Sequence, residues 1–155
     1  MEENSDISIR KADESDIEFL FNLRNRPDVF KYFKSPRKVE YDEHVKWITP
    51  IINNQRPEVY LYVILCNNER VGQVRFDLLD KTAEISISVL LDYRGKGIAD
   101  SALKQGIDIM KEKGIEKVSA EVEKENLNSI KFFKRVGFNE IKENKEYRIF
   151  EYNLK

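Results

Sequence analysis

Within four residues this chain places two glycines between a run with the period of a strand and a segment with the period of a helix. The run is Ala83-Glu84-Ile85-Ser86-Ile87-Ser88-Val89, the glycines stand in Arg94-Gly95-Lys96-Gly97-Ile98-Ala99, and the amphipathic segment spans residues 99–113. Apolar residues at every second position describe a strand, and a repeat near 3.6 describes a helix. The chain must therefore turn sharply from one to the other, and glycine tolerates the backbone angles such a turn needs. A junction of this kind collects unpaired backbone N–H groups at the positive end of a helix dipole. Residues 94–100 are thus a place for an anion such as a phosphate or pyrophosphate.

The rest of the chain supports a normal core around that junction. Its 155 residues are 41% apolar, which suits one domain over residues 1–155 that folds without disulfide or metal staples. Charged residues are 35% of the chain but balance to a net charge of -1. No basic excess is available for a nucleic-acid backbone, so no nucleic-acid partner is expected. Cys66 is the single cysteine. It reads as an inert apolar filler, no Cys/His cluster has metal-ligand spacing, and no metal is expected. A reducing cytoplasm is the simplest location. Residues 1–6 are polar and acidic, read as a tail and unlike a signal peptide. No apolar run reaches the length of a membrane span, so no membrane partner is expected either.

Periodicity predicts a first strand at residues 7–11 and a helix capped by Asp13, with Asp16 three residues on. Ile17, Leu20, Phe21 and Arg24 follow at helical spacing, and Arg26-Pro27 is expected to end that helix. Residues 41–53 read as a second helix that Pro50 should kink or shorten. Strands are predicted at 59–65, 71–78 and 82–90, joined by turns at Asn67-Asn68-Glu69-Arg70 and Asp80-Lys81. After the glycine turn come the helix at 99–113, a strand at 117–122, a helix at 127–136 stopped by Gly137, and a final hairpin. The order βααβββαβαββ makes a mixed α+β sheet with helices on both faces.

A second motif accompanies the glycine turn. It is Asn126-Leu127-Asn128-Ser129-Ile130-Lys131-Phe132-Phe133-Lys134-Arg135-Val136-Gly137-Phe138. This segment resembles N-x-x-[AS]-x-x-x-[YF]-x-x-x-G-F, and Arg94 to Ala99 resembles R-x-x-G-x-G/A. Together, with a strand between them, they resemble the GNAT superfamily of acetyl-CoA-dependent N-acetyltransferases over residues 7–154. The resemblance implies a mostly antiparallel sheet whose fourth and fifth strands splay apart. It implies acetyl-CoA as co-substrate, its pyrophosphate gripped by Arg94, Gly95, Lys96, Gly97, Ile98 and Ala99. The pantetheine arm would pair with backbone groups of Ile87, Val89 and Leu91, with polar contacts from Asn126 and Ser129. Phe133 stands where the family often has a tyrosine near the coenzyme sulfur, and it has no proton to give. Asp100, in the first helical turn, would repel a phosphate and is expected to point elsewhere.

Acetyl transfer to an amine needs a base and a donor for the thioester oxygen. Many family members carry a glutamate at about the position of Glu84, which is the candidate base, directly or through water. The backbone N–H near Val89 is the candidate donor. Gln73, Arg75 and Asp77 alternate on one strand face beside Glu84 and Ser86, a polar floor for a hydroxyl-rich or charged acceptor. With Arg24, His44 and Trp47 they resemble the branch acting on 4-amino groups of nucleotide-linked deoxysugars in surface glycan synthesis. A protein N-terminal amine or another small amine is the alternative acceptor. A non-catalytic acyl-CoA-binding module is the alternative from a different class. Glu84, Arg75 and Asp77 also suit simple surface pairing, Asn126 and Ser129 suit a helix start, and His44 suits a structural role. Monomer and homodimer are both open.

Overall fold

The computed structural model describes residues 6–155. The expected tail lies outside these residues except for Asp6, which is no tail. Its N–H donates to Asn67 Oδ1 at 2.9 Å and its carbonyl accepts from the Asn67 N–H at 2.8 Å.

Seven strands form one sheet in the order β1-β2-β3-β4-β5-β7-β6. They are β1 (Ile7–Lys11), β2 (Val59–Cys66), β3 (Glu69–Leu79), β4 (Thr82–Val89), β5 (Lys117–Glu123), β6 (Asn139–Glu143) and β7 (Tyr147–Asn153). All neighbours are antiparallel except β4 and β5, which are parallel. The turn joining β2 to β3 is tighter than the sequence suggests. Asn67 and Asn68 take φ 51° and 70°, the left-handed pair of a two-residue hairpin loop, so β3 begins at Glu69.

The helices are α1 (Ile17–Arg24), α2 (Pro27–Phe30), α3 (Tyr41–Ile52), α4 (Ile98–Glu112) and α5 (Leu127–Arg135). The order therefore holds one helical turn more than expected. Pro27 does not simply end α1; it opens α2 from its first turn, where a missing N–H costs nothing and its fixed φ suits a helix. Asp13 does cap as expected, over a 3-10 turn at Glu14–Asp16 that leads into α1. Pro50 sits inside α3, which runs only to Ile52.

Strand alternation sorts the core into two layers. Tyr62, Ile64, Val74, Phe76, Ile85 and Val89 face a large cluster that takes in buried residues of both α4 and α5. Val59, Leu61 and Val63 face a smaller cluster with Leu20 of α1 and Ile48 and Ile51 of α3. Gly106 of α4 lets that helix come down on the Phe76 ring, which an added Cβ would meet at 2.8 Å. The alternate residues of β3 and β4, among them Arg75, Asp77, Glu84 and Ser86, point toward the α1–α3 side. Among the described residues no helix is long and apolar enough to cross a membrane.

Candidate active site

The strand–turn–helix junction is built as the sequence implied. Gly95 and Gly97 have φ 74° and 81°, and Gly97 is the cap residue of α4. L-residues avoid these angles, so glycine is required here for its backbone. A Cβ built at either glycine would meet nothing within 4 Å. No side chain caps this helix. Space and free N–H groups thus coincide at a helix N-terminus, which is what the diphosphate of a coenzyme needs.

The charged residues of the turn are placed differently from expectation. Arg94 is already engaged: its Nε donates to the Val89 carbonyl at 2.9 Å, and its Nη2 lies 2.7 Å from Asp28 Oδ2. It fastens α2 to the end of β4, so its guanidinium is a brace and not a free anion contact. Lys96 lies over the Tyr93 ring at 5.8 Å. Asp100 is turned aside as expected, with both carboxylate oxygens on Arg135 Nη2 at 2.7 and 3.0 Å. That pair joins the first turn of α4 to the last turn of α5, each charge at the helix end that favours it.

The splay is visible in the ladder. β4 and β5 pair only through Thr82–Lys117, Ala83–Val118 and Glu84–Ser119, and then part. The Leu90 N–H bonds to the Val71 carbonyl at 2.8 Å, toward β3. Antiparallel alternation then turns the backbone groups of Ile87 and Val89 the other way, into the gap. Gly72 opposite Val89 permits this close packing, since a Cβ there would lie 2.3 Å from the Ser88 carbonyl oxygen. Leu91 is a correction. It lies past the strand in a 3-10 turn at Leu91–Tyr93, so it does not extend the pairing edge, and its side chain is exposed.

In the second motif, Asn126 caps α5 through a 3.3 Å bond from the Ser129 N–H to its Oδ1. The helix-start reading of these two residues thus holds, and their remaining polar atoms, Asn126 Nδ2 and Ser129 Oγ, are what a coenzyme arm could use. Phe133 is committed to the core. It is 5% exposed and packs against Phe132, Phe138 and Phe150 at ring separations of 5.1, 5.0 and 6.4 Å. It is a packing ring in place of the expected lining residue, because three aromatic neighbours enclose it.

On the acceptor side His44 is likewise corrected. It is 5% exposed, wedged between Phe21 and Trp47, with Nε2 3.2 Å from the Ile17 carbonyl. A carbonyl only accepts, so Nε2 carries the proton. Burial, with Arg24 nearby, lowers its pKa and keeps the ring neutral. It ties α3 to α1, the structural role its residue type also suited. Arg24 also serves structure: it lies 4.7 Å over the Phe33 ring and donates to the Arg37 carbonyl at 3.0 Å, holding the segment 31–40. Trp47 remains partly exposed, with Arg75 stacked over it at 5.5 Å. Arg75 also lies 3.3 Å from Asp77 two residues on in β3, the simple surface pairing the residue types allowed. Gln73 reaches Ser88 at 3.4 Å, and Ser86 stays half-buried on the same face.

Glu84 occupies the last paired position before the strands part. Its side chain reaches solvent, yet protein atoms crowd it: partial desolvation, then Glu121 and Asp77, push its pKa up, against Lys34 and Arg75. A carboxylate so placed is a stronger base than a free one. Glu121 is the residue that sequence reasoning missed. The alternation of β5 was the available signal, because Ser119 and Glu121 share the Glu84 face once β4 and β5 are neighbours. Asp28, Lys34 and Arg135 came to the site from far along the chain, with no local pattern to announce them.

Residues 6–139 match the family described as an acetyltransferase (GNAT) domain. A [Ribosomal protein bS18]-alanine N-acetyltransferase of Haemophilus influenzae is 31% identical over 119 residues, covering 74% of this chain and 80% of that protein. The spermidine N(1)-acetyltransferase of Escherichia coli K12 is 27% identical over 143 residues, covering 85% and 72%. An uncharacterised protein of Methanocaldococcus jannaschii is 29% identical over 98% of this chain, which spans only 32% of that relative's length. The fold superposes on Vibrio cholerae spermidine N-acetyltransferase, solved with CoA and spermine, with TM-score 0.84, 19% identity and 95% of each chain covered. The chain therefore belongs to the GNAT acetyltransferase domain family.

Proposed function

We propose that this domain acetylates the primary amine of a cationic acceptor, either a small alkylamine or a peptide amine. The observation that carries the reading is Glu84, a crowded carboxylate at the mouth of the β4–β5 gap. The backbone from Arg94 to Ala99 and the polar atoms of Asn126 and Ser129 would hold acetyl-CoA, which supplies an activated acetyl group as a thioester. The backbone of Ile87 and Val89 faces the gap that its arm would enter, with the Val89 N–H directed at the thioester oxygen. Glu84 takes the proton from the arriving ammonium, directly or through water. Phe133 supplies no proton; the attacking nitrogen, cationic once its bond to the carbonyl carbon has formed, gives up its second proton to the departing sulfur, directly or through water, as the C–S bond breaks.

Charge favours this acceptor over the nucleotide-linked amino sugar that the polar floor first suggested. A nucleotide sugar brings a diphosphate, and Glu84, Asp77 and Glu121 would repel it. Arg75, the cation best placed to answer it, already lies 3.3 Å from Asp77 and over the Trp47 ring. The names of the relatives, a spermidine and a protein-alanine acetyltransferase, lie on the same side. Thiol release from acetyl-CoA, measured across alkylamines, peptides and amino-sugar nucleotides, tests the reading. Turnover is expected with the first two classes. Turnover confined to amino-sugar nucleotides would overturn the acceptor class, and coenzyme binding without turnover on any amine would leave only a binding module.

A further inference from the structure

The segment between α2 and α3 brings a primary amine of its own to the acceptor side. Lys34 Nζ lies 2.9 Å from Glu121 Oε1 and 5.4 Å from the centre of the Tyr147 ring. A carboxylate on one side and an aromatic face on the other are the elements of an ammonium site. Lys34, Glu121 and Tyr147 also line a hollow of about 440 Å³. The two partners of the ion pair are not equally committed. The Glu121 side chain is 25% exposed and seated on β5, whereas that of Lys34 is 69% exposed and reaches in from a segment without helix or strand.

The position of this site gives it meaning. Glu84 pairs with Ser119 at the last rung that joins β4 to β5. Glu121 follows two residues later, on the same face of β5. Glu84 and Glu121 thus stand on the two lips of the gap, and the Lys34 ammonium sits at its mouth. Resting on the acetyl-transfer reading above, we propose that Glu121 and the Tyr147 ring form the clamp that receives the acceptor's ammonium, and that Lys34 fills this clamp until an acceptor displaces it. The occupant defines the class admitted. Lysine presents a primary ammonium on an unbranched aliphatic chain, so the clamp takes alkylammonium groups. Displacement is easy, because an ion pair this exposed shifts an equilibrium by no more than about fivefold.

Calorimetric titration of 1,4-diaminobutane into the CoA-loaded protein tests this without requiring turnover. Lys34→Ala is expected to tighten binding roughly threefold, since the internal competitor is gone. Glu121→Gln is expected to weaken it by up to about fivefold, and Tyr147→Leu about threefold. CoA affinity and melting temperature should stay as in the parent, which separates a lost clamp from a lost fold. Unchanged binding in Glu121→Gln, weaker binding in Lys34→Ala, or no binding to either the parent or Lys34→Ala overturns the clamp. The two readings fail separately. Acetylation with an unaffected Glu121→Gln removes the clamp and keeps the transfer. Diamine binding in the expected rank order with no acetylation keeps the clamp and removes the transfer.

Discussion

The coenzyme side and the acceptor side of this molecule are made by different means. On the function proposed above, the coenzyme would be held by backbone: N–H groups around Gly95 and Gly97, and the edge of β4 at Ile87 and Val89. Their placement follows from φ angles and strand register, which neighbouring residues decide. At the acceptor side the working groups are side chains, and long-range pairs place them. Lys34 reaches from its segment to Glu121 on β5, and the elements around that side are fastened by Arg94 to Asp28 across 66 positions and by Arg70 to Asp16 across 54. A backbone site tolerates many surrounding sequences, whereas a side-chain site changes with each partner. One family can therefore keep a coenzyme and vary the amine.

The contrast breaks most sharply at Gly97. Gly97→Trp is expected to weaken CoA binding by at least about a hundredfold, because the indole fills the space left for the diphosphate. The fold should survive, since a Cβ there meets nothing within 4 Å and the cost is that of a left-handed φ, about 1 kcal/mol. Calorimetry with CoA beside a thermal melt reads both. A variant that binds CoA like the parent would move the coenzyme away from this turn.

The next effect belongs to Glu84. Glu84→Gln should lower kcat roughly a hundredfold near neutral pH, the size of a lost general base. The loss should shrink as pH rises, because the free amine arrives increasingly without its proton. An equal loss at every pH would make Glu84 a contact residue and leave the base elsewhere.

The two sides also differ in how legible they were. The junction of β4 and α4 follows from an alternating run, two glycines and an amphipathic segment, all local. The cap at Asp13 and the stop at Gly137 are local too. The misread residues each depended on something distant. Arg94 looks like an anion ligand until α2 brings Asp28 to it. His44 beside Trp47 looks like a binding pair until α1 and α3 close over the imidazole. Glu121 gains meaning only when β5 is known to lie beside β4. Pro27 was read as a stop because proline ends helices, and it opens one because the same fixed φ suits the first turn.

Acid should separate the sides by stability. Asp16 is fully buried at the start of α1, where Arg10 and Arg70 converge on it at 2.6 to 2.8 Å. Burial alone would raise its pKa, but bonds from Arg10, the Asp13 backbone and Arg70 overcome this and lower it from 3.8 to about 2. A depressed carboxyl stabilises the fold above its ordinary value and loses that contribution as pH falls from near 4 through about 2. Asp16→Asn should cost about 2 kcal/mol at pH 7, an estimate already reduced for the solvent that reaches both arginines. Its stability should then vary less between pH 4 and pH 2 than that of the parent. An unchanged slope there would mean that other carboxylates carry the acid sensitivity.

The smallest expected effect sharpens the comparison at its boundary, where a side chain stands on the coenzyme side. Phe133→Tyr restores the hydroxyl that many relatives use near the sulfur. If protonating the thiolate limited the rate, kcat would rise strongly. A thiolate already leaves readily, and proton removal from the ammonium is the harder task at neutral pH, so kcat should change by less than about threefold. The fold should feel the change more, because Phe132, Phe138 and Phe150 enclose this ring and a hydroxyl without a partner there costs about 1–3 kcal/mol. A tenfold gain in kcat with an unchanged melting temperature would show instead that the new hydroxyl reaches the sulfur, and that departure of the thiol limits this enzyme.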